Sequence, residues 1–91
     1  MIVLSRARTV AELIRKMEAA KVLTDGENFT VYAVGEFVTN EGDLAFIRRP
    51  GAKVTGVGRE WAEIDLGSEG MVKAYPACDT LDNGEFVIYK N

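Results

Sequence analysis

The chain has 91 residues, of which 47% are apolar and 27% charged, with a net charge of −3 at pH 7. That length holds one core and not two, and the composition is that of a folded domain rather than a disordered one. Histidine is absent and Cys78 is the only cysteine. Ser-His and Cys-His catalysis, His-ligated metal sites and an internal disulfide are thereby excluded.

A domain this small buries roughly 60% of its unfolded-chain surface, so its core is thin and oligomerisation would help it. No apolar run approaches the roughly 20 residues that span a bilayer. Met1-Ile2-Val3-Leu4 is too short for a signal-peptide core, and Arg6 and Arg8 follow it rather than precede it. With a lone cysteine, the expectation is an intracellular, cytoplasmic protein. Charge is unevenly spread. Residues 1–24 carry +3, residues 25–54 carry −2 and residues 55–91 carry −4. A basic head and an acidic tail could become opposed surface potentials.

Residues 1–4 suit a short strand or a packed arm, with Ser5 to Arg8 as a connector. Thr9-Val10-Ala11-Glu12 fits a capping box. Val10, Leu13, Ile14, Met17 and Ala20 follow at helical spacing and make one apolar stripe, read as core packing. Glu12 and Lys16 form a favourable i,i+4 pair. The spacing predicts a helix ending near Leu23, stopped by Thr24-Asp25-Gly26 with Gly26 left-handed.

From Asn28 the period becomes two. Phe29, Val31, Ala33, Gly35 and Phe37 share one phase; Thr30, Tyr32, Val34, Glu36 and Val38 share the other. Gly35 suggests a bulge or bend. Asn40-Glu41-Gly42-Asp43 reads as a hairpin turn, Leu44 to Arg49 as the returning strand and Pro50-Gly51 as a second turn. Lys53 to Val57 is a weaker strand, with a bulge or turn at Gly56-Val57-Gly58. Arg59 to Leu66 is the next strand, followed by a Gly67–Gly70 turn and a strand from Met71 to Tyr75 stopped by Pro76. A polar loop over 77–84 ends in the turn signal Asp82-Asn83-Gly84. Phe86 to Tyr89 is the last strand. The fold class is therefore α+β, with one N-terminal helix covering one face of a curved antiparallel sheet of about five or six strands, suited to a half-barrel.

The less apolar phase of these strands is the more informative. Trp61 shares its phase with Arg59, Glu63 and Asp65; Tyr32, Tyr75 and Tyr89 also lie opposite the core-facing rows. Amphipathic rings are enriched in binding surfaces, although they also serve as ordinary cross-strand pairs. One helix cannot cover both faces of such a sheet. The ring-bearing face therefore meets a second copy, meets another partner, or curls into a barrel interior.

Other chemistry is weaker. Glu63 and Asp65 share a face and could bind a cation or act as acid and base, but no metal-loop spacing accompanies them. Asp79 to Gly84 fails as a calcium loop, because Leu81 takes a ligand position and Lys90 stands where the closing Glu belongs. Cys78 lies beside Asp79, which raises a thiol's pKa and argues for a spectator. Arg48, Arg49 and Lys53 form a basic hairpin tip that could touch phosphates, joined by Arg6 and Arg8. The acidic overall balance argues against nucleic acid as the partner.

In general character, short, acidic and histidine-free, the chain resembles many small proteins of phages and mobile elements, including inhibitors of host defence such as anti-CRISPR proteins. The resemblance is compositional and covers no motif. It implies a non-enzymatic stand-alone inhibitor or adaptor, without cofactor or metal, that occludes another protein's surface. Trp61, Tyr32, Tyr75, Tyr89, Glu63, Asp65 and Arg59 are the expected contacts. The acidic region beside an aromatic anchor would suit a basic groove. Two alternatives stand beside it: a small-ligand or nucleotide binder, monomeric or oligomeric, whose rings stack on a base while Arg48 to Lys53 meet phosphate; and a nucleic-acid module using the same basic hairpin.

Overall fold

The computed structural model describes residues 1–22, 26–77 and 83–91. Its elements are strand β1 (Ile2–Ala7), helix α1 (Val10–Ala19), strands β2 (Phe29–Thr39), β3 (Leu44–Val57) and β4 (Ala62–Asp65), a 3₁₀ turn (Gly67–Glu69), and strands β5 (Met71–Pro76) and β6 (Glu85–Lys90). Every strand pairing is antiparallel, in the order β1-β6-β2-β3-β4-β5, and β5 also returns to pair with β2. The sheet thus closes on itself over four strands, with β6 and β1 as an open wing. The expected helix on a curved sheet is this architecture.

β2 explains the closure. Its first half, Phe29 to Val34, pairs with β6, and its end, Phe37 to Thr39, pairs along the same edge with β5. The change of partner falls at Gly35, where the backbone bulges. A bulge bends a strand and increases its twist, so the expected Gly35 bulge is the point where the wing becomes a barrel.

The rows expected to face the core do so, but on the wing the opposite phase is closed too: Val34 and Val87, expected on the outward side with Tyr32 and Tyr89, are buried. Val31, Ala33, Phe37, Ala62, Ile64, Ala74, Phe86 and Ile88 share one core with Val10, Leu13 and Met17 of α1. Thr9 caps the helix, its Oγ1 accepting from the Glu12 N–H at 3.0 Å. Lys16 hydrogen-bonds to Glu12 at 3.0 Å and holds that carboxyl below its ordinary pKa. The Lys16 ammonium also donates to the Arg6 carbonyl, tying α1 to β1.

The helix ends earlier than its periodicity suggests. Lys21, not Gly26, takes the left-handed conformation, with φ 61°. The Lys21 N–H donates to the Glu18 carbonyl and the Val22 N–H to the Met17 carbonyl, the pair of bonds that defines a Schellman end. Val22 and Met17 are both buried, so the apolar contact that accompanies this motif outweighed the missing glycine. Leu23, Thr24 and Asp25 lie outside the described residues. Lys21→Gly is expected to stabilise the protein by about 0.5–1 kcal/mol, since relief of left-handed strain exceeds both glycine's added unfolded-state entropy and an exposed lysine's contacts. Urea denaturation checks it; an unchanged or lower midpoint refutes it.

Other boundaries differ. Ser5 to Ala7 belong to β1 rather than to a connector. Of the expected Arg59–Leu66 strand only Ala62–Asp65 is strand: Arg59 and Glu60 form a bend, and Trp61 and Leu66 flank β4. The Pro50-Gly51 pair does not end a strand: residues 44–57 form one strand of 14 residues. Here one β2 residue, Val34, faces four of β3, because Ala33 pairs with Ala52 but Gly35 with Ile47. Arg48 to Gly51 therefore bulge out of the ladder. Gly51 has φ 116°, and a Cβ on it would lie 2.9 Å from the Ala33 carbonyl oxygen, so only glycine lets the strand rejoin its neighbour here. The hairpin turn at Asn40–Asp43 is present, with the Thr39 N–H donating to the Asp43 carbonyl at 2.8 Å. A smaller bulge falls between Val54 and Gly56.

Candidate functional site

The outer surface of the barrel carries a connected apolar patch. Across three strands, Leu44 of β3 pairs with Val38 of β2, and Val38 pairs with Tyr75 of β5. Their neighbours Phe37 and Ala74 are fully buried, so alternation turns Val38 and Tyr75 outward. Trp61 adjoins Tyr75 edge-to-face, with ring centroids 4.8 Å apart. Leu44 is 71% exposed, Phe46 58% and Tyr75 37%. Trp61 is half-buried and borders a groove of about 280 Å³ formed with Val57, Gly58, Glu63 and Lys73. Large rings beside a groove, facing water, are what a binding surface provides and a closed core does not.

Charges surround the patch. Glu41 and Asp43 lie in the turn before Leu44, both exposed. Glu63 pairs across to Lys73, and the Thr55 hydroxyl donates to its carboxylate at 3.3 Å. Within β4, Glu63 is half-buried and Asp65 exposed, opposite the buried Ala62 and Ile64; Trp61 precedes the strand. Two expected contacts take other places. Arg59 sits in the bend before Trp61, and the Asp65 carboxylate accepts from the Gly67 N–H at 2.8 Å, which ties it to the following turn.

The four rings do not make one face. Tyr32 and Tyr89 pair edge-to-face at 5.6 Å on the β2–β6 wing. Six positions along β2 separate Tyr32 from Val38, roughly 20 Å of strand. Sequence reasoning missed Leu44, Phe46 and Val38. A signal existed: Asp43 and Arg48 bracket Leu44 and Phe46 with charge, and Arg48 shares their phase, which marks it as the wetter one.

The wing ends in β1, an edge strand with Ile2, Val3 and Leu4 exposed. Its pairing with β6 brings the basic head against the acidic tail, and Arg6 meets Glu85 at 2.7 Å. The two charged ends are thus adjacent rather than opposed. Arg49 also approaches Glu85, at 3.6 Å. The basic residues are not a hairpin tip: Arg48 and Arg49 stand on the β3 bulge beside Arg8, while Lys53 pairs with Tyr32 and lines a neighbouring groove with Asp65 and Glu69, which Arg48 also borders.

Among the described residues, no group of three or more His, Cys, Asp or Glu side chains could hold a metal, and no helix is long and apolar enough to cross a membrane. Cys78, Asp79, Leu81 and Asp82 lie outside the described residues. Compared with protein-family models, with curated proteins and with solved structures, the chain matches none.

Proposed function

We propose that the chain is a non-catalytic binding protein of inhibitor or adaptor type that occludes another protein's surface in the cytoplasm. One observation carries this reading: the row Leu44–Val38–Tyr75, extended by Trp61, lies outward on a barrel whose interior is already filled. Trp61 with its adjoining groove is the anchor. Tyr75 and Leu44 supply apolar area, and Glu41, Asp43 and Glu63 form a mostly acidic rim. The partner surface that fits is an apolar pocket edged by Lys or Arg, because opposite rim charges speed encounter while the buried rings hold the complex.

The test is comparative capture by immobilised wild-type protein and by Trp61→Ala, with Tyr89→Ala on the wing as a control. A protein held by the wild type and by Tyr89→Ala should be lost to Trp61→Ala, with affinity down by more than about tenfold, as for an anchor worth roughly 2 kcal/mol. Far-UV circular dichroism should show both variants folded. Equal capture by all three proteins would refute the patch. Sizing of the isolated wild type shows whether a second copy already covers the rings.

A further inference from the structure

A second feature of the surface shares only Phe46 with the apolar patch and none of Trp61, Tyr75, Val38 or Leu44. Arg8, from the head of the chain, and Arg48 and Arg49, from the β3 bulge, line one cleft of about 380 Å³ with Phe46, Asn83 and Glu85. That volume lies in the range of small-molecule sites. In a chain of net charge −3, three guanidinium groups around one concavity oppose the overall balance. Among the described residues that line it, the one carboxylate is Glu85, which Arg6 meets at 2.7 Å and Arg49 approaches at 3.6 Å. Among the described residues, Arg8 and Arg48 have no ion-pair partner within 4.0 Å.

The bulge is what builds the site. A regular β3 would keep Arg48 and Arg49 in the ladder, on opposite faces; four residues spanning one β2 position bring both to the same cleft. We infer that this cleft binds a nucleoside phosphate, with the phosphates held by Arg8, Arg48 and Arg49 and the base against the exposed ring of Phe46. Guanidinium forks match phosphate oxygens in pairs, and several of them suit a multiply charged group better than a single carboxylate. An outward phenyl ring next to those forks supplies a stacking surface for a planar base.

Calorimetric titration with ADP, pyrophosphate, adenosine and a short single-stranded oligonucleotide tests this. ADP should bind, pyrophosphate should bind more weakly, and adenosine should not bind detectably. Arg48→Ala and Arg8→Ala should each weaken ADP by about tenfold or more, the size expected for lost charge-assisted bonds. Both positions are exposed and outside the observed ion pairs, so both variants should fold. Phe46→Ala should weaken ADP and leave pyrophosphate unchanged. Trp61→Ala should bind ADP like the wild type, which separates this site from the protein-binding patch. Three results would overturn the inference: no binding of ADP or pyrophosphate at millimolar concentration, arginine variants that bind like wild type, or an oligonucleotide that binds far more tightly with a steep salt dependence.

Discussion

Phe37→Ala is expected to cost about 3–5 kcal/mol, a large share of the roughly 5–15 kcal/mol that stabilises a domain. Phe37 is fully buried and meets Phe86 edge-to-face at 5.4 Å. Its position makes it more than one large side chain among several. Its Cα partners are Ala45 of β3 on one side and Pro76 of β5 on the other, at the place where the barrel closes. Both flanking partners are too small or too rigid to fill the space a lost ring leaves. The cavity would therefore persist, adding to the lost transfer free energy. Urea denaturation followed by Trp61 fluorescence measures the loss. A shift worth less than about 1 kcal/mol would mean that the barrel collapses around the gap and is not tightly closed there.

Gly84→Ala is expected to destabilise by about 3 kcal/mol, the upper end of ordinary overpacking. A Cβ at Gly84 would lie 2.3 Å from the Glu36 carbonyl oxygen and 2.7–2.8 Å from two ring carbons of Phe37. The ring could turn aside, but the carbonyl is held in place, since it also accepts from the Ala77 N–H at 3.1 Å. The start of β6 would have to move away from β2, breaking the close approach at Asn83 and Glu36. Combining Gly84→Ala with Phe37→Leu separates the two contacts. If the ring is the main obstacle, the double variant is less destabilised than the sum of the singles; if the carbonyl dominates, the effects add. A Gly84→Ala protein as stable as the wild type would show that this approach is not required.

The two proposed sites sit on features with different energetic logic. The ring patch uses the outward phase of β2, β3 and β5 and Trp61 just before β4, so Trp61→Ala removes binding area with little effect on the core. The arginine cleft uses a departure from the ladder. Its geometry depends on Gly51 and on the bulge, and a change at Gly51 should damage the cleft and the β2–β3 register together.

What the residue order determined here is periodicity. The Thr9 cap, the stripe of Val10, Leu13 and Met17, and the alternation in β4 and β5 follow from burying one side of each element, which needs no knowledge of the neighbour, whereas β2 and β6 bury Val34 and Val87 on their other side too. That local rule placed Tyr75 outward, but on the wing Tyr32 and Tyr89 share their face with the buried Val34 and Val87. Tertiary structure decided what depends on distant partners. Burial of Val22 on Met17 let Lys21 end the helix. The pairing of β3 with β2 carried one strand through Pro50-Gly51, which alone reads as a turn. Closure of β5 onto β2 joined Tyr75 to Val38 and Leu44, while the wing carried Tyr32 and Tyr89 elsewhere. The β1–β6 pairing set Arg6 against Glu85. Each of these outcomes turns on register between segments far apart in the chain, and a period of two is the same in every register it could adopt.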